Sequence, residues 1–147
     1  MKLKIVNQSN YPLPNYATPY SAGLDIRVVI NDNNKEILPK QKLIYNTKLF
    51  IEIPKNYYGM IVSRSGLSCK SGVAVINSPG IIDSDYRGEL LITLINHGDS
   101  IYYVNNGERV AQLIIMKYER IELTTTKKYN LNKTKRLDGH YGSTGIL

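Results

Sequence analysis

Short runs of alternating apolar and polar residues dominate the chain. Lys2 to Val6 alternates, as do Asp25 to Ile30 and Leu49 to Ile53, the last placing Leu49, Ile51 and Ile53 on one face. A period of two puts successive side chains on opposite sides of a sheet, so each run predicts a half-buried strand. Leu90-Leu91-Ile92-Thr93-Leu94-Ile95 is instead continuously apolar but for one threonine, which predicts a strand buried on both faces. Turn-forming clusters separate the runs at Asn31-Asp32-Asn33-Asn34, Pro54-Lys55-Asn56, Asn96-His97-Gly98-Asp99 and Asn105-Asn106-Gly107. Asn-Gly between two β-rich stretches is the strongest hairpin signal among them. Arg109 to Leu123 contains no Gly or Pro, and Val110, Leu113, Ile114 and Lys117 would share one helical face. Its β-branched content and the preceding turn favour a strand. Many short strands with closely spaced turns predict an all-β fold, a single-domain jelly-roll-like β-barrel. One short helix is expected to open in the small-residue stretch Gly66 to Gly72.

From Asn130 the pattern changes. Lys133-Thr134-Lys135 and the glycine-rich Gly139 to Gly145 carry too little apolar surface to join a core. The expected division is a β-barrel domain over residues 1–129 and a flexible C-terminal arm over 130–147.

Composition narrows the function classes. A chain of 147 residues with 42% hydrophobic and 21% charged side chains is that of one globular domain. No apolar run approaches the ~20 residues that cross a bilayer. Lys2, Lys4, Asn7 and Gln8 interrupt the first apolar stretch, so no signal peptide is expected and a cytoplasmic location is. The single cysteine, Cys69, excludes an intrachain disulfide and a Cys-based zinc site. Neither His97 nor His140 sits in a nucleophile signature with it. The net charge is +7, and seven basic side chains against two acidic ones lie between Lys117 and Arg136. Such a patch suits an anionic partner, but it is equally the solvated segment of a lysine-rich chain.

Five clusters mix glycine with charged or hydroxyl residues. Ala22-Gly23-Leu24-Asp25 puts a carboxylate at a strand start, where a structural Asp in a turn is also a full explanation. Arg64-Ser65-Gly66-Leu67 offers backbone N–H groups, a hydroxyl and a guanidinium to an anion. The third cluster runs from Asn77 to Glu89 and is the densest. Asp83 and Asp85, two apart, would share one strand face, one as base or metal partner and the other structural, or both as turn carboxylates near Arg87. Tyr86 supplies a flat ring on the opposite face, and the Asn77 amide carries both a donor and an acceptor for a base edge. The fourth, Gly107-Glu108-Arg109-Val110-Ala111-Gln112-Leu113, sets the amide of Gln112 inside an apolar strand. The fifth is Arg136 with Gly139 to Gly145, where glycines allow close approach to phosphate oxygens and Arg136, Ser143 and Thr144 add donors. Tyr141 adds a stacking ring. The Gly-Lys-Ser/Thr of a Walker A loop is missing.

In this order the clusters resemble the five motifs of the homotrimeric dUTPases, which hydrolyse dUTP to dUMP and pyrophosphate. Ala22 to Asp25 is similar to the first motif, Arg64 to Leu67 to the second and Gly80 to Glu89 to the third. Gly107 to Leu113 matches the fourth, and Arg136 with Gly139 to Gly145 the fifth. The resemblance runs from about Tyr20 to the C-terminus.

The resemblance implies roles. Asp83 would deprotonate the water that attacks the α-phosphorus, and Tyr86 would pack on the deoxyribose and exclude a 2′-hydroxyl. Asn77 would pair with uracil alongside backbone groups of the surrounding hairpin, including Gly80 and Ile82. Arg64, Ser65, Gly66 and Gln112 would contact phosphates. Mg²⁺ would bridge the three phosphates, with Asp25 holding its water ligands. The arm would close over a site built between two other subunits of a homotrimer, with Tyr141 and Gly142 at the uracil and Arg136, Ser143 and Thr144 at the phosphates. Ser63 stands where the family usually has Pro, Ser68 for Ala, Leu137 and His140 for Gly, and Tyr141 for Phe.

Three other readings use parts of the same sequence. A related dCTP deaminase-like enzyme would need a further carboxylate as proton shuttle, for which Glu89 is available. A non-catalytic, nucleotide-dependent regulatory protein would signal through closure. A nucleic-acid-binding protein would rest on Lys117 to Arg136. The order of motifs and the intact Gly-Ser-Thr-Gly favour dUTP hydrolysis, with neither membrane nor nucleic acid as partner.

Overall fold

The computed structural model describes residues 1–30, 35–135 and 137–138. Ten strands follow one another along the chain: β1 (Lys4–Asn7), β2 (Leu24–Arg27), β3 (Glu36–Ile37), β4 (Lys42–Glu52), β5 (Tyr57–Ser63), β6 (Val73–Val75), β7 (Gly80–Ile82), β8 (Glu89–Asn96), β9 (Tyr102–Tyr103) and β10 (Arg109–Lys117). One helix, α1 (Ser65–Ser71), sits between β5 and β6, and Gly72 closes it in the left-handed conformation at φ 68°. The Arg109 to Leu123 segment is a strand as far as Lys117.

Two four-stranded antiparallel sheets face each other, in the orders β1-β4-β8-β6 and β2-β10-β5-β7, with β3-β9 as a small third ribbon. Val29 N–H donates to the Asn46 carbonyl of β4 at 2.7 Å and joins the two sheets at one corner. The arrangement is the jelly-roll type expected of the alternation, because one face of each strand must be covered by the other sheet. Ile26, Val28, Val110 and Leu113 meet Leu90, Ile92, Leu94 and Val73 in a continuous core, all at most 2% exposed. Each such side chain contributes on the order of 2 kcal/mol by leaving water.

The continuous apolar run departs from expectation. In β8 burial alternates, with Leu90, Ile92 and Leu94 inside, while Leu91 is 49% exposed. Leu91 shares the outer face of its sheet with Ile44 and Val6, which are also exposed. Among the described residues nothing covers Val6, Ile44 and Leu91 there, so apolar composition does not mean burial within the described fold.

A two-residue excess in β4 shapes the same sheet. Asn46 pairs with Leu91 and Phe50 with Glu89, so three residues of β4 face one of β8. Lys48 takes the left-handed φ of 59° there. The Glu89 carboxylate accepts from the N–H groups of Thr47 and Lys48 at 3.0 and 2.7 Å and from the Asn46 amide at 3.2 Å. A carboxylate thus replaces the missing ladder partners.

Candidate active site

The expected site residues form two separate groups. The first gathers around Asp25 of β2, which is 4% exposed. β10 runs beside β2 with Gln112 opposite Asp25, and it brings Arg109 onto the same end of the sheet. Gln112 Nε2 donates to Asp25 Oδ1 at 3.2 Å and Arg109 to Oδ2 at 3.0 Å. Arg64, reached as β5 ends, places its Nε 3.3 Å from Asp25 Oδ1 and donates to the Arg109 carbonyl at 2.7 Å. A carboxylate this buried is stable only with both oxygens engaged. Here two guanidiniums and an amide do so.

α1 begins immediately after Arg64, without a side-chain cap and without an acidic residue in its first turn. Its leading amides, at Ser65 and Gly66, have no intrahelical acceptor. Both residues are exposed, and a side chain at Gly66 would meet nothing within 4 Å. The glycine is therefore not required by packing within this chain, and it leaves the backbone open to an approaching anion.

Behind this group lies a polar cluster that the motif reading did not single out. Glu108 accepts from Tyr102 Oη and, at 2.9 Å, from Asn105 N–H. Burial and then the hydrogen bond and charge of Glu108 push Tyr102 upward, against a smaller lowering by Arg64. Burial and the Glu108 charge raise Tyr45 to about 12. Its hydroxyl is buried with no hydrogen-bond partner among the described residues. Glu108 lies within the fourth motif and was within reach of sequence reasoning, whereas nothing in the pattern marks Tyr45 or Tyr102.

The second group sits on the loop between β6 and β7, on β7 and on the turn that follows; β6 and β7 belong to opposite sheets and do not form the hairpin expected from the sequence. Asn77 is exposed in the loop between the two strands. Gly80 is buried, and a side chain there would come within 3.1 Å of Asn77 Nδ2, so the glycine makes room for the amide. Ile82 packs against the core. β7 ends at Ile82, and Tyr86 N–H donates to the Asp83 carbonyl at 3.2 Å. Asp83 and Asp85 thus lie in a turn rather than on one strand face, because β7 has only three residues, all paired with β5, and ends before them. Asp83 is exposed, and no hydrogen bond or ion pair engages its carboxylate among the described residues. It borders a hollow with Tyr58, Ile81 and Tyr118, and the two tyrosine rings meet edge to face at 6.2 Å. Arg87 donates to the carbonyls of Ser84 and Tyr86 at 2.7 and 2.8 Å and so serves the turn, not the two aspartates. Tyr86 Oη donates to the Glu89 carbonyl at 2.9 Å. A Cβ on Gly88 would fall on the Tyr86 ring, so Gly88 is what allows the ring to lie back on the turn. Glu89 holds the β4 excess, as described, and is not free to shuttle protons.

Sheet geometry separates the two groups. Asp25 aligns through Gln112 and Val62 with the position before Gly80, three strand spacings away, and Asp83 is four residues further along. At ~4.8 Å per strand and ~3.3 Å per residue, the two carboxylates are on the order of 20 Å apart. The remaining expected residues, Arg136, Tyr141, Gly142, Ser143 and Thr144, lie outside the described residues. Every described residue from Met116 onward is exposed, including Ile121 and Leu123.

Comparison with known proteins bears on the family and the fold. The family described as dUTPase matches residues 9–145. A deoxyuridine 5'-triphosphate nucleotidohydrolase of Finegoldia magna is 43% identical over 145 residues, covering 99% of both chains. One of Aquifex aeolicus is 44% identical over 124 residues, covering 84% of this chain and 82% of its own. Among solved structures, the dUTPase of Staphylococcus bacteriophage 80alpha with dUPNHPP superposes with a TM-score of 0.85 at 25% identity, covering 99% of each chain.

Proposed function

Because the chain belongs to the dUTPase family and hydrolyses dUTP, we propose how its residues divide that work. Asp83 is the general base. It takes a proton from a water whose oxygen bonds to the α-phosphorus, while the bond from that phosphorus to the bridging oxygen breaks and pyrophosphate leaves with the electron pair. A free, exposed carboxylate suits a proton acceptor, since no partner must be displaced first. Asn77 pairs with the uracil edge beside the backbone of Gly80 and Ile82, and Tyr86 packs on the deoxyribose. Arg64, Ser65, Gly66 and Gln112 bind the phosphates, with the two amides and the guanidinium as donors.

A nucleotide hydrolase of this family uses a divalent metal, and the donor set suits Mg²⁺. Among the described residues no group of three or more His, Cys, Asp or Glu side chains could hold an ion. That composition fits an ion carried by the triphosphate, with Asp25 keeping acceptor capacity for one of its waters. When bound, such an ion would supply positive charge against the phosphates and the leaving pyrophosphate. Reaction in the aqueous compartment is consistent with the helices, none of which among the described residues could cross a membrane.

The observation that carries the reading of the assembly is the distance between Asp25 and Asp83. That separation supports sites shared between subunits, as in the homotrimer proposed here. The uncovered apolar face of Val6, Ile44 and Leu91 supports association of copies. The arm over 130–147 reaches a neighbour's site in this reading, which suits the exposure of every described residue from Glu119 onward.

Pyrophosphate release from dUTP, dCTP, dTTP and UTP tests the reaction, with Asp83→Asn alongside. Turnover of dUTP alone, lost in the variant, is expected; ammonia from dCTP would move the chain to the deaminases. Co-expression of Asp83→Asn with Arg64→Ala tests the sharing. Random assembly should recover activity in about a quarter of all sites, one site in each mixed trimer, and no recovery would place each site within one chain.

A further inference from the structure

Ser63 ends β5, one residue before Arg64, and it makes two hydrogen bonds to the segment that runs from β6 into β7. Its N–H donates to Ser78 Oγ at 3.1 Å. Its own hydroxyl accepts from Val75 N–H at 2.9 Å. The pairing of β5 with β7 stops at Ile61 opposite Gly80, and Pro79 beyond it has no N–H to continue the ladder. The Ser78 hydroxyl supplies the acceptor that the ladder lacks there. Val75 belongs to the edge strand of the opposite sheet, and its buried N–H would otherwise be unpaired. Ser63 therefore grips both ends of the loop from Ile76 to Pro79, at Val75 on entry and at Ser78 near exit. Within that loop Asn77 is exposed, and its side chain makes no hydrogen bond among the described residues.

We propose that Ser63 is a positioning residue for base recognition: it fixes the Asn77 loop against the end of β5, so that the pocket is formed before the nucleotide arrives. This rests on the reading of Asn77 as the partner of uracil. A loop tied at both ends loses less freedom when the ring binds, and the gain appears in affinity rather than in chemistry. Proline at this position would supply neither the N–H nor the hydroxyl. This chain therefore replaces a stiff ring by two bonds that can be cut one at a time.

Steady-state dUTP hydrolysis by Ser63→Ala, Ser78→Ala, Ser63→Thr and Asn77→Ala tests the idea. Ser63→Ala removes the bond to Val75 and Ser78→Ala the bond from Ser63 N–H. Each is expected to raise KM about fivefold while kcat changes less than about twofold. Ser63→Thr keeps both groups and is expected to match the unaltered enzyme. Ser78 is exposed, so its variant reports even if Ser63→Ala folds poorly. Unchanged KM in Ser78→Ala and Ser63→Ala, beside a raised KM in Asn77→Ala, overturns the positioning role alone. A fall in kcat at constant KM overturns it as well. Unchanged KM in Asn77→Ala overturns the base-pairing reading and this proposal with it.

Discussion

Asp25 and Asp83 are the same kind of group in opposite settings. Asp25 is nearly sealed from water and grips two arginines and a glutamine amide. Asp83 stands in a turn, and among the described residues nothing engages its oxygens. The first holds donors at fixed positions, and the second leaves its oxygens open. The proposed roles of positioning and proton transfer thus fall to different carboxylates, at opposite edges of one sheet.

The sharpest way to break this contrast is to neutralise each in turn. Asp83→Asn should lower kcat by about 10³-fold and leave the urea midpoint of unfolding unchanged. Turnover near the original rate would remove Asp83 from the chemistry. Asp25→Ala should do the reverse first: unpairing Arg64 and Arg109 should cost about 3 kcal/mol of stability, read by urea denaturation. A variant as stable as the parent would mean that the cluster is ornamental. Gly88→Ala tests the second group with a smaller effect. The added methyl displaces the Tyr86 ring, so preference for dUTP over UTP should fall about tenfold, measured as a ratio of kcat/KM values. Preserved preference would separate Tyr86 from sugar recognition.

The smallest expected effect lies behind the Asp25 group. The Tyr45 hydroxyl is the exception to the rule that its neighbours obey, since it is buried without a partner. Tyr45→Phe should therefore raise stability at neutral pH by about 1 kcal/mol. Tyr45 is raised from 10.0 to about 12, and Tyr102 shifts the same way. Above pH 10 the unfolded chain loses protons that the folded chain still holds. Stability present below that pH should fall as pH rises toward 12, and less steeply in Tyr45→Phe. A profile unaffected by the substitution would take Tyr45 out of this linkage.

Strands were readable wherever the chain covers one of their faces itself, as in Leu49, Ile51 and Ile53. The helix at Ser65–Ser71 was readable from its small residues and closing glycine. Leu91 was not, because an apolar side chain looks the same in sequence whether its own core or nothing in its chain lies over it. Motif residues such as Asp25, Gln112 and Asp83 could be found by type and spacing. Their division into two groups could not, since it depends on the pairing register of β2, β10, β5 and β7. Gly88 and Ser63 owe their importance to a ring and to a loop that reach them only after folding. Arg136 and Tyr141 to Thr144, legible as a motif, lie outside the described residues.

The excess in β4 sets a rule of parity for the gene. Two additional residues, an even number, leave Tyr45, Thr47, Leu49 and Ile51 all pointing inward on either side of the irregularity. Deleting one codon among positions 47–49 would turn every later side chain of that strand inside out. Deleting two would only straighten it and release Glu89. Length at this point can therefore be lost in pairs, and a single-codon change there is expected to be selected against as strongly as a charge placed in the core.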